Sequence, residues 1–314
     1  MEKIPAVALG TWSWGSGAVG GDQVFGNHLS EENLRPVFDA AMTCGLNLWD
    51  TATVYGMGAS ENILGDFVKD TARENVLLST KFTPQIASDS AEAMMEMLDA
   101  SLERLGTDHV DIYWIHNPAD VERWTPELVK VLKSGKVKAV GVSNHNLSQI
   151  KRAEDILSAH GYHVGAVQNH YSLLYRESEE AGIIDYCKAH GMTFYAYMVL
   201  EQGALSGKYD MQHPLPADSM RGQTYNPQLE QIEALVDAMR QVAEAHNASV
   251  SQIAIAWAVA KGTLPLIGAT KVSHVEEAAA AARIQLSEAE IKSLESVAAS
   301  TGAQTRGSWE NPMV

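Results

Sequence analysis

The chain is short of cysteine, of basic residues and of long apolar runs, and each shortage excludes something. Two cysteines, Cys44 and Cys187, occur in 314 residues. That is no disulfide framework, so the expected compartment is a reducing cytoplasm. Lys and Arg together number 23 against 39 Asp and Glu, a formal net charge of -16. A chain this acidic is repelled by nucleic acid and by anionic membrane, and neither is expected as a partner. An anionic ligand remains open, because one local Lys or Arg acts against the global field. No run of about 18 apolar residues exists, which argues against a membrane span. The opening Met1-Glu2-Lys3-Ile4-Pro5 lacks the apolar segment of a signal peptide. His160 and His163 are too isolated for zinc, so no metal is expected. No repeat with a period of about 20–50 residues and no Pro/Ser-rich linker divides the sequence.

What is present is an apolar fraction of 46% with 20% charged residues. That combination supports a large core rather than disorder. Short β-rich runs alternate with longer amphipathic ones. The strand candidates are Val7–Leu9, Leu46–Trp49, Val76–Ser79, Val110–Ile115, Ala139–Val142, Ala166–Gln168, Thr193–Ala196 and Leu264–Ile267. Helix periodicity marks Glu61–Lys69, Ala91–Leu105, Pro126–Lys133, Leu147–His160, Glu180–His190 and Leu229–His246. In Ala91–Leu105 the stripe is Met94, Met95, Leu98, Leu102 and Leu105, and Met97 is taken as core filler with its neighbours. Gly45, Gly106, Gly135, Gly161 and Gly191 punctuate the helix-to-strand connections. Strands each followed by a helix predict a (β/α)8 barrel, here one domain over 1–314. Ser287-Glu288-Ala289-Glu290 is a capping box that predicts an extra C-terminal helix. The polar segment 209–228 is expected as a loop over one barrel face.

Gly15-Ser16-Gly17-Ala18-Val19-Gly20 matches the dinucleotide spacing G-x-G-x-x-G. That motif requires its third Gly to open a helix directly. The next expected helix starts only near Ser30, so the segment is taken as a Gly-rich loop.

In such a barrel the reacting groups stand at the C-terminal ends of the strands. Those ends carry Asp50, Lys81, His116, Ser143-Asn144, Gln168-Asn169, Tyr197 and Gly268-Ala269-Thr270-Lys271, with Tyr55 on the loop after the second strand. Singly, each polar residue has an ordinary structural explanation. Four titratable groups at adjacent strand ends are harder to explain that way. A free phenol titrates near ~10 and is a weak acid at neutral pH. A nearby ammonium lowers that value, and a carboxylate keeps the ammonium charged. Asp50, Lys81 and Tyr55 therefore make a proton donor tuned toward working pH. His116 can orient a carbonyl oxygen. No Ser or Cys nucleophile accompanies them. The missing reactant is a hydride, which no side chain supplies, so a nicotinamide is expected. Trp12 and Trp14 after strand one, with Trp309 in the C-terminal tail, suggest an aromatic substrate pocket for a small carbonyl compound or a sugar-like ring.

The sequence resembles the aldo-keto reductases over nearly its full length. The matching pieces are Gly10-Thr11-Trp12, Asp50-Thr51-Ala52 with Tyr55-Gly56, Gly58-Ala59-Ser60-Glu61, Leu64-Gly65 and Ser79-Thr80-Lys81. Leu105-Gly106, Asp111-Ile112-Tyr113-Trp114-Ile115-His116, Gly135-Lys136-Val137 and Gly141-Val142-Ser143-Asn144 follow. The last are Gln168-Asn169, Gly203 to Lys208, and Gly268-Ala269. The resemblance implies NAD(P)H-dependent reduction of an aldehyde or ketone, with Tyr55 as acid, Asp50 and Lys81 as its tuners and His116 as orienter. It implies that Ser143, Asn144 and Gln168 hold the nicotinamide carboxamide and that Tyr197 stacks on its ring. Gly10, Thr11, Trp12, Leu200, Gln202 and Gly268 would complete the cofactor site. Relatives often read Tyr-Ser-Pro-Leu where this chain has Tyr197-Met198-Val199-Leu200, so a pyrophosphate-binding serine is absent. Lys271 matches a position that holds the 2′-phosphate of NADPH, but six residues later Glu277 replaces a common arginine. NADPH is expected by a narrow margin, with NADH as the other coenzyme. Two other readings compete: a lyase or aldolase using Lys81 as a Schiff-base amine, and a cofactor-binding regulatory subunit. Substrate identity, reaction direction and oligomeric state are left open.

Overall fold

A computed structural model of the chain describes residues 4–313. Eight parallel strands close in chain order into a barrel. They are β1 (Ala8–Gly10), β2 (Leu48–Asp50), β3 (Leu77–Phe82), β4 (Val110–Ile115), β5 (Val137–Ser143), β6 (Ala166–His170), β7 (Thr193–Tyr197) and β8 (Leu264–Gly268). β8 pairs back with β1, Ala8 opposite Leu266. β4 is buried along its whole length and mostly apolar, since helices cover the outside of a parallel barrel. The (β/α)8 expectation is borne out.

The barrel interior is packed. Leu48, Leu77, Ile112, Trp114, Tyr195 and Leu264 form one apolar set, separate from the larger layer between strands and helices. Trp114 sets the geometry there. Its ring lies over Gly141 so closely that an added Cβ would fall 2.3 Å from it. This plug forms the floor on which the polar strand ends stand.

Several boundaries differ from the sequence reading. β2 and β3 run on through Asp50 and Lys81, with Asp50 opposite Ser79 and Lys81 opposite Trp114. Asp50 is the last residue of β2 and Lys81 the last but one of β3, so both stand at strand ends. The helix expected from Pro126 begins at Val121, because Asp120 caps it by accepting from the Arg123 N–H. Pro126 sits in the second turn, where it removes one intrahelical bond and crowds the Glu122 carbonyl, yet the helix continues to Lys133. The run 180–190 splits into Glu177–Glu180 and Ile183–Ala189 at Gly182, whose φ of 73° is left-handed. The segment 209–228 is not all loop; it contains a helix, Met220–Tyr225, and a short 3₁₀ turn, Asn226–Gln228. Gly20 does cap a helix, Gly21–Phe25. That helix is five residues long and crosses to no neighbouring strand, so the barrel, rather than a missing helix, is what excludes a dinucleotide-fold reading. The extra helix stands at Glu288–Thr301 with the expected Ser287 capping box. Among the described residues no helix is long and apolar enough to cross a membrane.

Candidate active site

The site begins with one buried cation. Lys81 has no exposed surface. Its Nζ pairs with Asp50, donates to the Thr51 carbonyl at 2.7 Å and lies 3.3 Å from the Tyr55 hydroxyl. Burial works against the ammonium, but Asp50 and then Tyr55 overrule it and hold its pKa above the ordinary value. Asp50 is fixed in turn by the Ser79 hydroxyl and by Gln168 Nε2 at 3.3 Å.

Tyr55 is brought here by the loop after β2, and the Gly-rich, Ser60-Glu61 sequence explains how. The Ser60 hydroxyl lies 2.8 Å from the Thr11 carbonyl and 2.7 Å from its hydroxyl, tying the loop to β1. Glu61 is fully buried; it accepts from Thr80 and, at 2.6 Å, from Arg104 Nε, tying the loop to β3 and the next helix. Gly58 has φ 97°, and a Cβ there would strike Arg104 at 2.7 Å, so the turn needs glycine. The net effect on Tyr55 differs from the expected tuning. Burial raises its pKa more than Lys81 lowers it, so it stays a neutral phenol at neutral pH in the free protein.

His116 stands across from Tyr55, ring centroids 6.0 Å apart and near perpendicular. Burial, then the Lys81 charge, pushes it well below its usual pKa, so the ring is neutral at neutral pH. Its Nδ1 is 3.0 Å from the Thr83 hydroxyl. Both groups line a cavity of about 1040 Å³, at the upper end of the roughly 300–1,000 Å³ usual for ligand sites. Ser143, Asn144, Gln168 and Tyr197 line it deeper in, with Gly10 and Gly268. Asn144 is held at φ 61° and donates to the His116 carbonyl at 2.8 Å. Tyr197 is bonded through its hydroxyl to Asn144 and to Glu310, each at 2.6 Å. Leu200, Gln202, Lys208, Lys271 and Glu277 line the far end. Lys271 is the N-cap of the helix Val272–Ala281, and Glu277 lies on that helix.

Besides the buried Lys81, two expected residues fall outside the cavity. Trp14 is fully buried; its Nε1 donates to the Ala269 carbonyl at 2.8 Å and its ring packs on Trp49 and Phe67. It is core, because the chain leaves β1 in a turn, the Trp14 N–H donating to the Thr11 carbonyl at 2.9 Å, which carries the ring away from the mouth. Thr11 is also fully buried, its hydroxyl turned to Ser60. Trp12 and Trp309 do line the cavity. Trp12 stacks on Tyr55 at 5.8 Å, and Trp309 meets Trp12 edge-on at 5.7 Å.

Of the lining residues that the sequence reading missed, three bear most on binding. Arg221 comes from the segment taken as loop; it donates to the Gln202 carbonyl at 2.9 Å, and its buried Nε has no partner. His274 follows Lys271 into the same wall. Phe25 enters from the short helix after Gly20 and packs edge-on to Trp12. No spacing signal marked any of them. Among the described residues no His, Cys, Asp or Glu group could hold a metal ion.

Comparison with known proteins agrees with this geometry. The model for the "Aldo/keto reductase family" matches residues 6–299. A curated aldo-keto reductase [NADP(+)] of Schizosaccharomyces pombe is 30% identical over 312 residues, covering 93% of this chain and 88% of its own. An aldo-keto reductase from Klebsiella pneumoniae, solved in complex with NADPH, superposes with a TM-score of 0.73 at 26% identity, covering 98% and 95% of the two chains. A thermostable aldo-keto reductase solved with the inhibitor epalrestat gives 0.76 at 28%, covering 94% and 96%.

Proposed function

Because this chain belongs to the aldo/keto reductase family, and so reduces an aldehyde or ketone with NAD(P)H, we propose that Tyr55 is its proton donor, Lys81 and Asp50 the pair that hold that donor ready, and His116 the group that orients the carbonyl oxygen. The observation that carries the assignment is Tyr55 on the cavity wall with its hydroxyl 3.3 Å from an ammonium sealed by Asp50.

The residues present fit a nicotinamide dinucleotide. Arg221 offers a buried N–H without a partner, suited to a phosphate oxygen. Ser143, Asn144 and Gln168 offer amide and hydroxyl groups at the deep end, and the Tyr197 ring can cover a flat heterocycle there. NADPH is the coenzyme proposed, with Lys271 beside the 2′-phosphate and Glu277 opposing it. Bound coenzyme supplies the hydride to the carbonyl carbon.

The chain's own residues do the rest. Trp12, Phe25, Val54, Ile86 and Trp309 give the mouth an apolar wall, which favours a small apolar or ring-shaped carbonyl compound and excludes water. His116, neutral, donates from Nε2 to the carbonyl oxygen, provided the Thr83 hydroxyl donates to Nδ1 and fixes that tautomer. Tyr55 passes its proton to the same oxygen as negative charge develops, and Lys81 stabilises the phenolate left behind. The lyase reading is disfavoured, because Lys81 is held charged by Asp50 and cannot act as a free amine.

The test is isotope transfer. NADPH deuterated at nicotinamide C4 is incubated with a panel of small aldehydes and ketones, and the alcohols are analysed by mass spectrometry. Deuterium on the former carbonyl carbon is expected. Unlabelled product, or borohydride trapping of a substrate on Lys81, would overturn the reading.

A further inference from the structure

The barrel mouth holds a second set of buried charges that the reduction does not use. His170, the last residue of β6, has no exposed surface. Its Nε2 lies 2.9 Å from Glu201 and its Nδ1 3.0 Å from Glu310. Burial opposes its charge, but the two carboxylates prevail and push it up to about 10. Tyr175 stacks on the imidazolium, centroids 4.1 Å apart and 12° from parallel. Glu201 also accepts from the Tyr225 hydroxyl at 2.6 Å, from Thr305 at 3.2 Å and from Ser172.

Glu310 is what makes this set more than a core feature. It belongs to the extended tail that follows the helix Glu288–Thr301, and it is buried while Arg306, Ser308 and Trp309 around it are exposed. Beyond the His170 bond, Glu310 accepts from the Gly307 N–H at 2.9 Å and the Tyr197 hydroxyl at 2.6 Å. The tail has other ties. Gln304 exchanges two hydrogen bonds with Gln228 at 2.7 and 3.0 Å, Thr305 reaches Glu201, and Met313 is buried, its N–H donating to Glu177 at 3.2 Å and its Sδ accepting from Asn169. Between them Trp309 projects onto the cavity rim, 37% exposed, its ring edge-on to Trp12 and lying against Gly307 of its own tail. Such a contact does not order a tail by itself, whereas a charge-assisted bond sealed from water is roughly twice as strong as a neutral one. The tie also reaches the deep end of the cavity. Asn144 and Glu310 each sit 2.6 Å from the Tyr197 hydroxyl, which has one proton to donate.

We propose that Glu310 is a positioning residue for the substrate wall: clamped between His170 and Tyr197, it holds the C-terminal tail so that Trp309 covers Trp12 and Tyr55, and through Trp309 it sets how tightly the carbonyl substrate is held. The substrate half of this statement rests on the reductase reading above; the clamp itself does not.

Two measurements separate them. The first is tryptic cleavage after the exposed Arg306, which releases Gly307–Val314 and is followed by mass. Glu310→Gln should speed this cleavage by about tenfold or more, the factor that corresponds to losing one charge-assisted tie, while Trp309→Ala should change it less than about threefold. The second is steady-state kinetics with the carbonyl substrate. Glu310→Gln and Trp309→Ala should each raise KM by about tenfold with kcat within about threefold. The double variant should match Trp309→Ala alone, because Glu310 acts through that ring. If Glu310→Gln does not fold, Glu310→Asp, one methylene shorter, should give intermediate values in both measurements. Faster cleavage with no reductase activity in any variant, wild type included, leaves the clamp standing and removes the reductase reading. Unchanged cleavage, or KM effects that multiply in the double variant, overturns the proposal.

Discussion

Lys81 on one side of the barrel mouth and His170 on the other are both cations with no exposed surface, and both are held by carboxylates. They differ in what is left over. The Lys81 set ends in Tyr55, a residue that lines the cavity and carries a phenol proton. The His170 set closes on itself, since each ring nitrogen has its own carboxylate and none of His170, Glu201 and Glu310 lines the cavity. Buried charge is costly wherever it occurs. In the first cluster that cost supports a donor aimed at substrate; in the second it fixes the chain around that donor. Burial and a shifted pKa mark both sites equally, so neither separates chemistry from architecture. A polar residue that lines the cavity does.

The sharpest test of that contrast is at Tyr55. Tyr55→Phe should lower kcat by about 10²–10⁴ while NADPH affinity, read by fluorescence titration, stays within a few-fold. Activity within a few-fold of wild type would place the donor elsewhere. Lys81→Met should come next. It should lose most activity and shift the alkaline limb of the residual pH–rate profile upward, because Lys81 is the group that pulls the phenol's pKa down against burial. An unshifted limb would make Lys81 only a holder of Asp50, and the two clusters would then differ less than they seem.

His170→Gln should act in the opposite manner, on stability rather than rate. It leaves two buried carboxylates without their cation, which costs about 3 kcal/mol or more. The sign of the pH dependence follows from the shift. His170 rises from 6.5 to about 10 on folding, so its contribution is complete below about pH 6.5 and disappears as pH climbs through about 10. Urea unfolding at pH 6, 8 and 10 should show the gap between wild type and His170→Gln narrowing upward. A gap that widens with pH, or a variant that loses rate before stability, would mean the second cluster is not merely architectural.

The first cluster was legible in the sequence and the second was not, and the reason is physical. Asp50, Lys81 and His116 lie at strand ends of a recognisable periodic pattern, and Tyr55 lies in a loop whose glycines and Ser60-Glu61 have no apolar purpose. His170, Glu201 and Glu310 are 31 to 140 residues apart in pairs, with no shared spacing, and they meet only because the tail folds back across β6 and β7. Arg221 was hidden for the same reason, inside a segment whose polarity suggested loop. Trp14 misled in the other direction: alternation would put it on the same face as Trp12, but the chain turns at Thr11–Trp14, the Trp14 N–H donating to the Thr11 carbonyl at 2.9 Å, and carries its ring into the core. Local pattern carries strands, caps and strand-end chemistry, whereas contacts made by closure of the barrel and docking of the tail leave no period to read.

The smallest effect is expected where charge is least buried. Lys271 is exposed at the N-cap of its helix, and Glu277, half-buried, accepts from the Ser249 hydroxyl at 3.1 Å. Both line the far end of the cavity. The free N–H groups at that helix start and the Lys271 charge favour a phosphate, and Glu277 opposes one. The two together should give wild type a modest preference for NADPH. Glu277→Arg should strengthen NADPH binding relative to NADH by about 1–3 kcal/mol, the scale of a new charge-assisted contact with a repulsion removed. Lys271→Ala should move the ratio toward NADH. Water reaches these groups, so raising the salt should shrink both effects, whereas the same salt should leave the stability gap of His170→Gln unchanged. Binding constants for the two coenzymes at low and moderate ionic strength decide the matter. If neither substitution alters the NADPH-to-NADH ratio, the 2′-phosphate is read by other groups of the wall, His274 and Lys208 first among them.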